Sequence, residues 1–399
     1  MWYFYSPNII YGEDALDFIE NIPGKKCYII TDKILENLGY LKILTDKLNE
    51  FDKEYTVNTD TKPDPHEPDA LVARQDCINY GPDLIIALGG GSVMDTAKLV
   101  WTLYEFPDMN ADDLYPFNPE LYKMGKKAKL VAIPTTSGTG AETTNVSVVS
   151  RLINNIWKKH FFLHKSMMPT FAIVDPIFPK GMPANLTMDT AFDAIAHSLE
   201  GITSQWKNEF TKAMALKAIE LIFKFLPLVL NDGNNMEARD LMHQAATMAG
   251  LAFGNSQAQL AHTIGHSWGS VFHVPHGRAV GVALPYVLQY CLNDSDQNNK
   301  TEEILAKVAK QLGWINWDQD NKKAANRVIE KIKNLQKEIG FPLSLKEIGT
   351  PKEEVDKYID ELVNMCFEDS TSVLGPRSAN GEEFRNLYLY AYEGKNIDF

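Results

Sequence analysis

The chain is 399 residues long, 45% hydrophobic and 23% charged, which is enough apolar material for two buried cores. Its formal net charge is −13 and no run of Lys or Arg offsets it, which argues against a nucleic-acid partner. No apolar stretch is long enough to span a bilayer, and the opening Met-Trp-Tyr-Phe-Tyr-Ser-Pro lacks the basic-then-apolar order of a leader, so the expectation is a cytoplasmic protein with no membrane partner.

In chain order, short β-branched runs at Cys27–Thr31, Leu84–Leu88, Leu130–Ile133 and Phe171–Val174 predict buried parallel strands. Between the first two come a helical stretch over Lys33–Asn49, a strand around Tyr55–Val57 and a second helix over Pro68–Tyr80. That alternation predicts an α/β layer. From about Pro183 the spacing turns helical, with Asn185–Gly201, Glu209–Leu230, Met236–Phe253 and Thr301–Leu312 as candidate helices. Pro179, Gly181 and Pro183 interrupt any regular element, so the expected division is 1–182, an α/β dinucleotide-binding domain, and 183–399, an all-α metal-binding domain. The aromatic-rich Gly381–Phe399 is expected to dock on the body. Cys27, Cys77, Cys291 and Cys366 are widely spaced, a pattern of reduced thiols rather than a disulfide framework or a cysteine zinc site.

Two loops follow predicted strands. Gly89-Gly90-Gly91-Ser92 leads into a helical stretch carrying Asp95 and Lys98, where backbone N–H groups and a helix dipole suit a phosphate. It departs from GxGxxG, having Met94 in sixth place, and a glycine turn alone is as often only a turn. The second loop, Pro134 to Thr144, holds five threonines (Thr135, Thr136, Thr139, Thr143, Thr144) with Ser137, Gly138 and Gly140, a set of hydroxyls and open amides suited to ribose and pyrophosphate. Paired loops at strand C-terminal ends outweigh the reading of two ordinary surface turns. Asp32 ends the first strand; it either accepts from an adenine-ribose 2′-OH or caps the helix that begins near Lys33.

Four of the nine histidines, His262, His266, His273 and His276, fall within fifteen residues. Asp193 and His197, like His262 and His266, stand four apart, which on a helix brings side chains to about 6 Å at Cβ. Asp193–His197 alone would be an ordinary pair. With the downstream histidines and Pro275-His276-Gly277, a carboxylate–imidazole site for iron, zinc or nickel becomes the better reading, a Lewis acid for an alcohol oxygen.

Taken together, Gly89-Gly90-Gly91-Ser92 with Asp95 and Lys98, the loop Pro134 to Glu142, Asp193-Ala194 with His197 and Glu200, then His262, His266 and Pro275-His276-Gly277 resemble the iron-containing (group III) alcohol dehydrogenase family over nearly the whole chain. The resemblance implies a Rossmann-like α/β domain followed by an all-α domain, a dehydroquinate synthase-like fold, with the reactants held in the cleft between them. It implies metal ligands Asp193, His197, His262 and His276, with His266 beside the nicotinamide as a catalytic group. It implies cofactor contacts at Asp64, Gly89, Gly90, Gly91, Ser92, Asp95, Thr135, Thr136, Thr139, Thr144 and Lys159, Asp64 standing where some members carry Asn; Asp32 joins them by its place at the end of the first strand. The expected activity is hydride transfer between a small alcohol and its aldehyde or ketone, using NAD (NADP the alternative) and Fe2+ (Zn2+ the alternative) in a homo-oligomer, a dimer by resemblance. The rivals are a zinc-type glycerol dehydrogenase, a sugar-phosphate cyclase of the dehydroquinate synthase type and a non-catalytic nucleotide- or metal-binding protein. The cyclase would want basic residues near the metal, yet 185–200 holds no Lys or Arg and 251–280 only Arg278.

Overall fold

The computed structural model describes residues 3–153, 156–294, 296 and 299–399; Met1 and Trp2, part of the stretch read for a leader, lie outside them. The chain divides into two compact units, Met1–Gly181 and Met182–Phe399. The first is built on a six-stranded parallel sheet of order β1-β8-β5-β4-β2-β3, with β1 Asn8–Tyr11, β2 Lys26–Ile30, β3 Glu54–Asn58, β4 Leu84–Gly89, β5 Lys129–Pro134 and β8 Phe171–Val174. Every residue of β4 is buried, as a central parallel strand covered on both faces must be. Helices α1 Lys33–Asn37, α2 Tyr40–Glu50, α3 Glu67–Tyr80 and α4 Gly91–Glu105 connect the strands. From β2 the chain runs outward to β3, then crosses back to β4 on the other side, so the carboxyl ends of β2 and β4 flank the point where strand order reverses. Open sheets bind ligands at that point.

Three local features differ from the sequence reading. The stretch 33–49 is two helices, because Gly39 takes φ 84° and turns the chain between α1 and α2. The edge strand β1 spans four residues, too few to show a period. An antiparallel hairpin, β6 Val146–Ile153 with β7 Ile156–Leu163, was not anticipated at all. Its alternation is diluted: Val149 and Phe162 are buried, while Leu152 and Trp157 face solvent and Lys158-Lys159 interrupt the apolar pattern.

The second unit is helical, with no strand among its described residues. Its helices are α5 Ala184–Thr203, α6 Glu209–Asn231, α7 Met236–Gly254, α8 Leu260–Phe272, α9 His276–Leu292, α10 Thr301–Gln311, α11 Asn321–Ile339, α12 Lys352–Glu368 and α13 Gly381–Glu393. Pro183 starts α5 from the N-cap position, where its missing N–H costs nothing. The C-terminal segment does dock: Phe384, Leu387, Tyr388 and Tyr392 of α13 are buried, and Arg377 Nη1 donates to the Phe399 carbonyl at 3.1 Å. Among the described residues no helix is long and apolar enough to cross a membrane.

Candidate functional site

Within the helical unit, α5 and α8 bring polar groups into an apolar interior. Asp193 and His197 lie one turn apart on α5, and His262 and His266 one turn apart on α8. α8 ends where His273 takes a left-handed conformation (φ 54°); Pro275 then sets the N-cap of α9, and His276 is its first residue. This sharp corner returns His276 toward α5. Two contacts hold it there. Arg278 of α9 grips Asp189 of α5 through Nε and Nη2, at 2.9 and 3.1 Å. Gly277 presses so close to α5 that a Cβ on it would sit 2.1 Å from the Asp189 carbonyl oxygen.

The convergence point is Asp193 Oδ1. His276 Nε2 stands 3.3 Å from it, His262 Nε2 3.4 Å and His197 Nε2 3.7 Å. The ligand atoms of Asp193, His262 and His276 all lie within 4.8 Å of one another, and His197 stands just outside that group of three. Metal bonds of about 2.0–2.2 Å in a tetrahedron set neighbouring ligand atoms roughly 3.4 Å apart, close to the distances from Asp193 Oδ1 to His262 and His276. Asp193 Oδ1 and His262 Nε2 are solvent-excluded with no hydrogen-bond partner among the described residues, a costly state that a divalent cation would relieve. One carboxylate with imidazoles, all on rigid helices, therefore fits a transition metal.

The charges are mutually tuned. Burial would raise the Asp193 carboxyl, but the imidazoles of His197 and His276, with His262, hold it well below the usual range. Burial likewise opposes the charged form of His262, yet Glu200 and Asp193 push it up to about 10. The ring of His197 lies flat between Phe253, 3.9 Å away, and His262, 4.6 Å away, which fixes its plane. Phe253 is thus at the site, whereas Trp268 of α8 is fully buried in core beside Phe272 and Tyr388.

Behind the imidazoles stand two carboxylates to which sequence reasoning gave no role. Glu200 Oε2 lies 2.5 Å from His262 Nδ1, and the same side chain accepts from the Gln259 and Ala261 backbone N–H groups. Asp369 Oδ2 lies 2.7 Å from His266 Nδ1. Glu200 stands in a recognisable spacing from His197, but Asp369 lies 103 positions from its partner and nothing local marks it.

In the α/β unit, the two glycine- and threonine-rich loops come together because β4 and β5 are adjacent, Gly89 in register with Pro134. Gly89 is packed against Val93, whose Cβ would lie 2.5 Å from a side chain there. Thr136 stands against Gly90 and Thr139 against Gly91, with 3.3 and 3.2 Å to the nearest atoms of an added Cβ. No side chain caps α4, a 15-residue helix whose first N–H groups, at Gly91 and Ser92, have no partner within the helix. Thr135 continues the β5 backbone, donating its N–H to Gly89. Thr144 is buried, its hydroxyl joined to Lys98 Nζ at 3.0 Å and to Ala141 O, which makes it a support beneath the loop.

Lys98 is wholly buried with Asp95 3.9 Å away. Burial pushes Asp95 up to about 6 against the pull of Lys98, and pulls Lys98 down to about 8 against that of Asp95. Lys159, exposed on β7 opposite Ser150, adds its charge to those lowering Asp95. Asp32 does cap α1, Oδ1 accepting from Ile34 and Leu35 N–H, both at 2.9 Å. It also sits beyond β2, on one flank of the reversal point. Asp64 adopts φ 56° and accepts from Ser150 Oγ at 3.0 Å, tying its loop to β6.

Comparison with known proteins gives concordant matches. Residues 6–176 match the model of the iron-containing alcohol dehydrogenases, and residues 187–392 that of the C-terminal part of the Fe-containing alcohol dehydrogenase family. An NADPH-dependent butanol dehydrogenase of Clostridium saccharobutylicum is 33% identical over 396 residues, 98% of each chain. The bifunctional aldehyde-alcohol dehydrogenase of Escherichia coli (strain K12) is 31% identical over 96% of this chain, which spans 45% of that longer protein. An iron-containing alcohol dehydrogenase structure from Thermococcus thioreducens superposes with a TM-score of 0.87 at 29% identity, covering 99% of this chain and all of the other.

Proposed function

The chain belongs to the iron-containing alcohol dehydrogenase family, with its dehydroquinate synthase-like fold, and on that premise we propose a residue-level account of its alcohol and aldehyde redox chemistry. Asp193, His197, His262 and His276 hold the divalent metal, iron in the first instance and zinc where supply favours it. The observation that carries this reading is the buried Asp193 Oδ1, which has no hydrogen-bond partner among the described residues and stands 3.3 to 3.7 Å from three imidazole nitrogens. When bound, the metal supplies Lewis-acid chemistry at the substrate oxygen and the nicotinamide supplies the hydride carrier.

The protein's own groups do the rest. His266, one turn beyond His262 and stacked 5.1 Å from His276, takes up the alcohol proton at Nε2 in oxidation and returns it in reduction. Phe253 covers one face of His197 and keeps water from that side. Gly89, Gly90, Gly91 and Ser92 at the start of α4 receive the cofactor pyrophosphate, with Thr135, Thr136 and Thr139 beside them and Asp95, Thr144 and Lys159 supporting from below and from the hairpin. Asp64, in its left-handed turn, holds the loop near the cofactor.

Asp32 selects NAD(H). Its Oδ1 takes both cap bonds and no other group among the described residues bonds Oδ2, which leaves an acceptor for a ribose hydroxyl and a charge that repels a 2′-phosphate. The substrate is a small alcohol or aldehyde. The acidic surface supports a protein without a nucleic-acid partner, the four buried free thiols support a cytoplasmic location, and a homodimer is the assembly we favour. The test is anaerobic purification, metal analysis, and a panel of alcohols and aldehydes assayed with both NAD(H) and NADP(H). No turnover across the panel by metal-loaded protein would overturn the reading.

A further inference from the structure

Two imidazoles project from the same face of α8, and each has its Nδ1 engaged by a carboxylate from a different part of the fold. On His262 the partner is Glu200 of α5, and Nε2 is thereby turned onto Asp193 Oδ1. On His266 the partner is Asp369, which follows α12. The first arrangement orients a ring of the proposed ligand set; the second orients a ring outside that set, which the Asp193–His262–His276 cluster does not include.

Asp369 is itself rigidly mounted. It caps the short 3-10 turn Ser370–Ser372, Oδ1 accepting from Thr371 N–H at 2.8 Å and from Thr371 Oγ1 at 2.7 Å. Its carbonyl accepts from Ser372 N–H and Oγ. Thr371 Oγ1 in turn meets Thr263 Oγ1 at 2.8 Å, so the turn is pinned to α8 at two places less than one helical turn apart, Thr263 and His266. Both carboxylate oxygens are spoken for, and the group is nine-tenths buried, at 9% exposure. A carboxylate placed so carefully behind a ring nitrogen does more than fill space.

We propose that Asp369 is the positioning residue for His266, holding its Nδ1–H so that the ring's lone pair lies on Nε2. An ionised carboxylate has only acceptors, so a neutral His266 must donate from Nδ1 and keep its lone pair at Nε2. When the alcohol O–H bond breaks and the proton passes to Nε2, the hydride leaving carbon for the nicotinamide, Asp369 stabilises the imidazolium that results; the steps reverse in reduction. The proposal rests on the reading of His266 as the proton-handling group, and the experiment separates the two.

Asp369→Asn, nearly isosteric, and Asp369→Ala are prepared in the full chain, loaded with zinc, alongside His266→Ala and the double variant His266→Ala/Asp369→Ala. Metal per chain, NADH binding by fluorescence, kcat and KM are measured, and the wild-type and Asp369→Asn proteins are labelled with 15N-histidine for NMR of the ring nitrogens. Expected is a fall in kcat of about 10²-fold or more in both single Asp369 variants with metal content, NADH affinity and KM retained. The 15N spectrum of wild type should show His266 protonated at Nδ1, and Asp369→Asn should lose that pattern. In the double variant, Asp369→Ala should add nothing to His266→Ala, as it must if it acts only through that ring. Asp369→Asn within twofold of wild type, metal lost together with kcat, or additive effects in the double variant would each overturn the role of Asp369. Full turnover in His266→Ala would instead overturn the reading on which it rests.

Discussion

Glu200 Oε2 and His262 Nδ1 are 2.5 Å apart, and through that contact a residue of α5 decides which nitrogen α8 offers to Asp193. The same carboxylate receives two backbone N–H groups from the first turn of α8, whose own N-cap residue provides no side-chain cap. Glu200→Gln keeps an acceptor for the backbone but weakens control of the His262 tautomer. We expect metal affinity to fall roughly 10- to 100-fold, as loss of such outer partners does elsewhere, while the fold persists. Competition with a chelator on the purified protein measures it, and unchanged affinity would show that Glu200 only caps the helix.

His262→Ala and His276→Ala should each lose bound metal and activity together, because each removes a nitrogen 3.3 to 3.4 Å from Asp193 Oδ1. Elemental analysis after dialysis gives the answer. Full occupancy with near-normal turnover in either variant removes that residue from the ligand set.

Gly277→Ala places a Cβ 2.1 Å from the Asp189 carbonyl oxygen, backbone that cannot move aside as a side chain would. We expect a loss of about 1–3 kcal/mol in stability and a displaced His276. The readouts are Tm and metal content. A Tm within a degree of wild type with metal retained would mean that α9 shifts freely against α5.

Asp32→Gly should narrow or reverse the preference for NAD over NADP, and it removes the side-chain cap of α1, costing about 0.3 kcal/mol because glycine is itself tolerated at an N-cap. The ratio of kcat/KM for the two cofactors measures the first effect and thermal unfolding the second. A wild-type protein that already favours NADP(H) would show that the carboxylate does not face the ribose.

Asp95 gives a pH signature. Its carboxyl is raised to about 6 in the fold, so its contribution to stability is fully present below about 4, where it is protonated in both states, and is lost as pH rises through 6. A rise of about two units corresponds to at most about 3 kcal/mol. Denaturant unfolding of Asp95→Asn against wild type from pH 4 to pH 8 should show the difference between the two growing over that window. Parallel curves would remove Asp95 as the source.

Much of the molecule was legible in the residues alone. The buried strands β2, β4, β5 and β8 announce themselves because both faces of each are covered, which leaves unbroken apolar runs. α6 carries its 3.6-residue spacing because one face lies in the core, whereas α5 is buried on nearly every side from Asp189 to Thr203. Missed were the half-exposed hairpin β6–β7, the four-residue strand β1 paired with β8, and α9, which is buried nearly all round and so shows no one-sided period. The separation of α1 from α2 is the work of one left-handed glycine.

At the candidate site the residue types were set by chemistry and so could be named from their order. A metal wants a carboxylate and imidazoles, and a phosphate wants glycine amides at a helix start. What the chain order cannot contain is distance. That Asp193 Oδ1 rather than another atom is the hub, that His197 lies flat against Phe253, and that Arg278 and Gly277 dock α9 on α5 are outcomes of helix packing. Asp369 is the plainest case. No local period or motif points to a residue that meets its partner across 103 positions, because a hydrogen bond depends on where two atoms finish and not on how far apart they are in sequence.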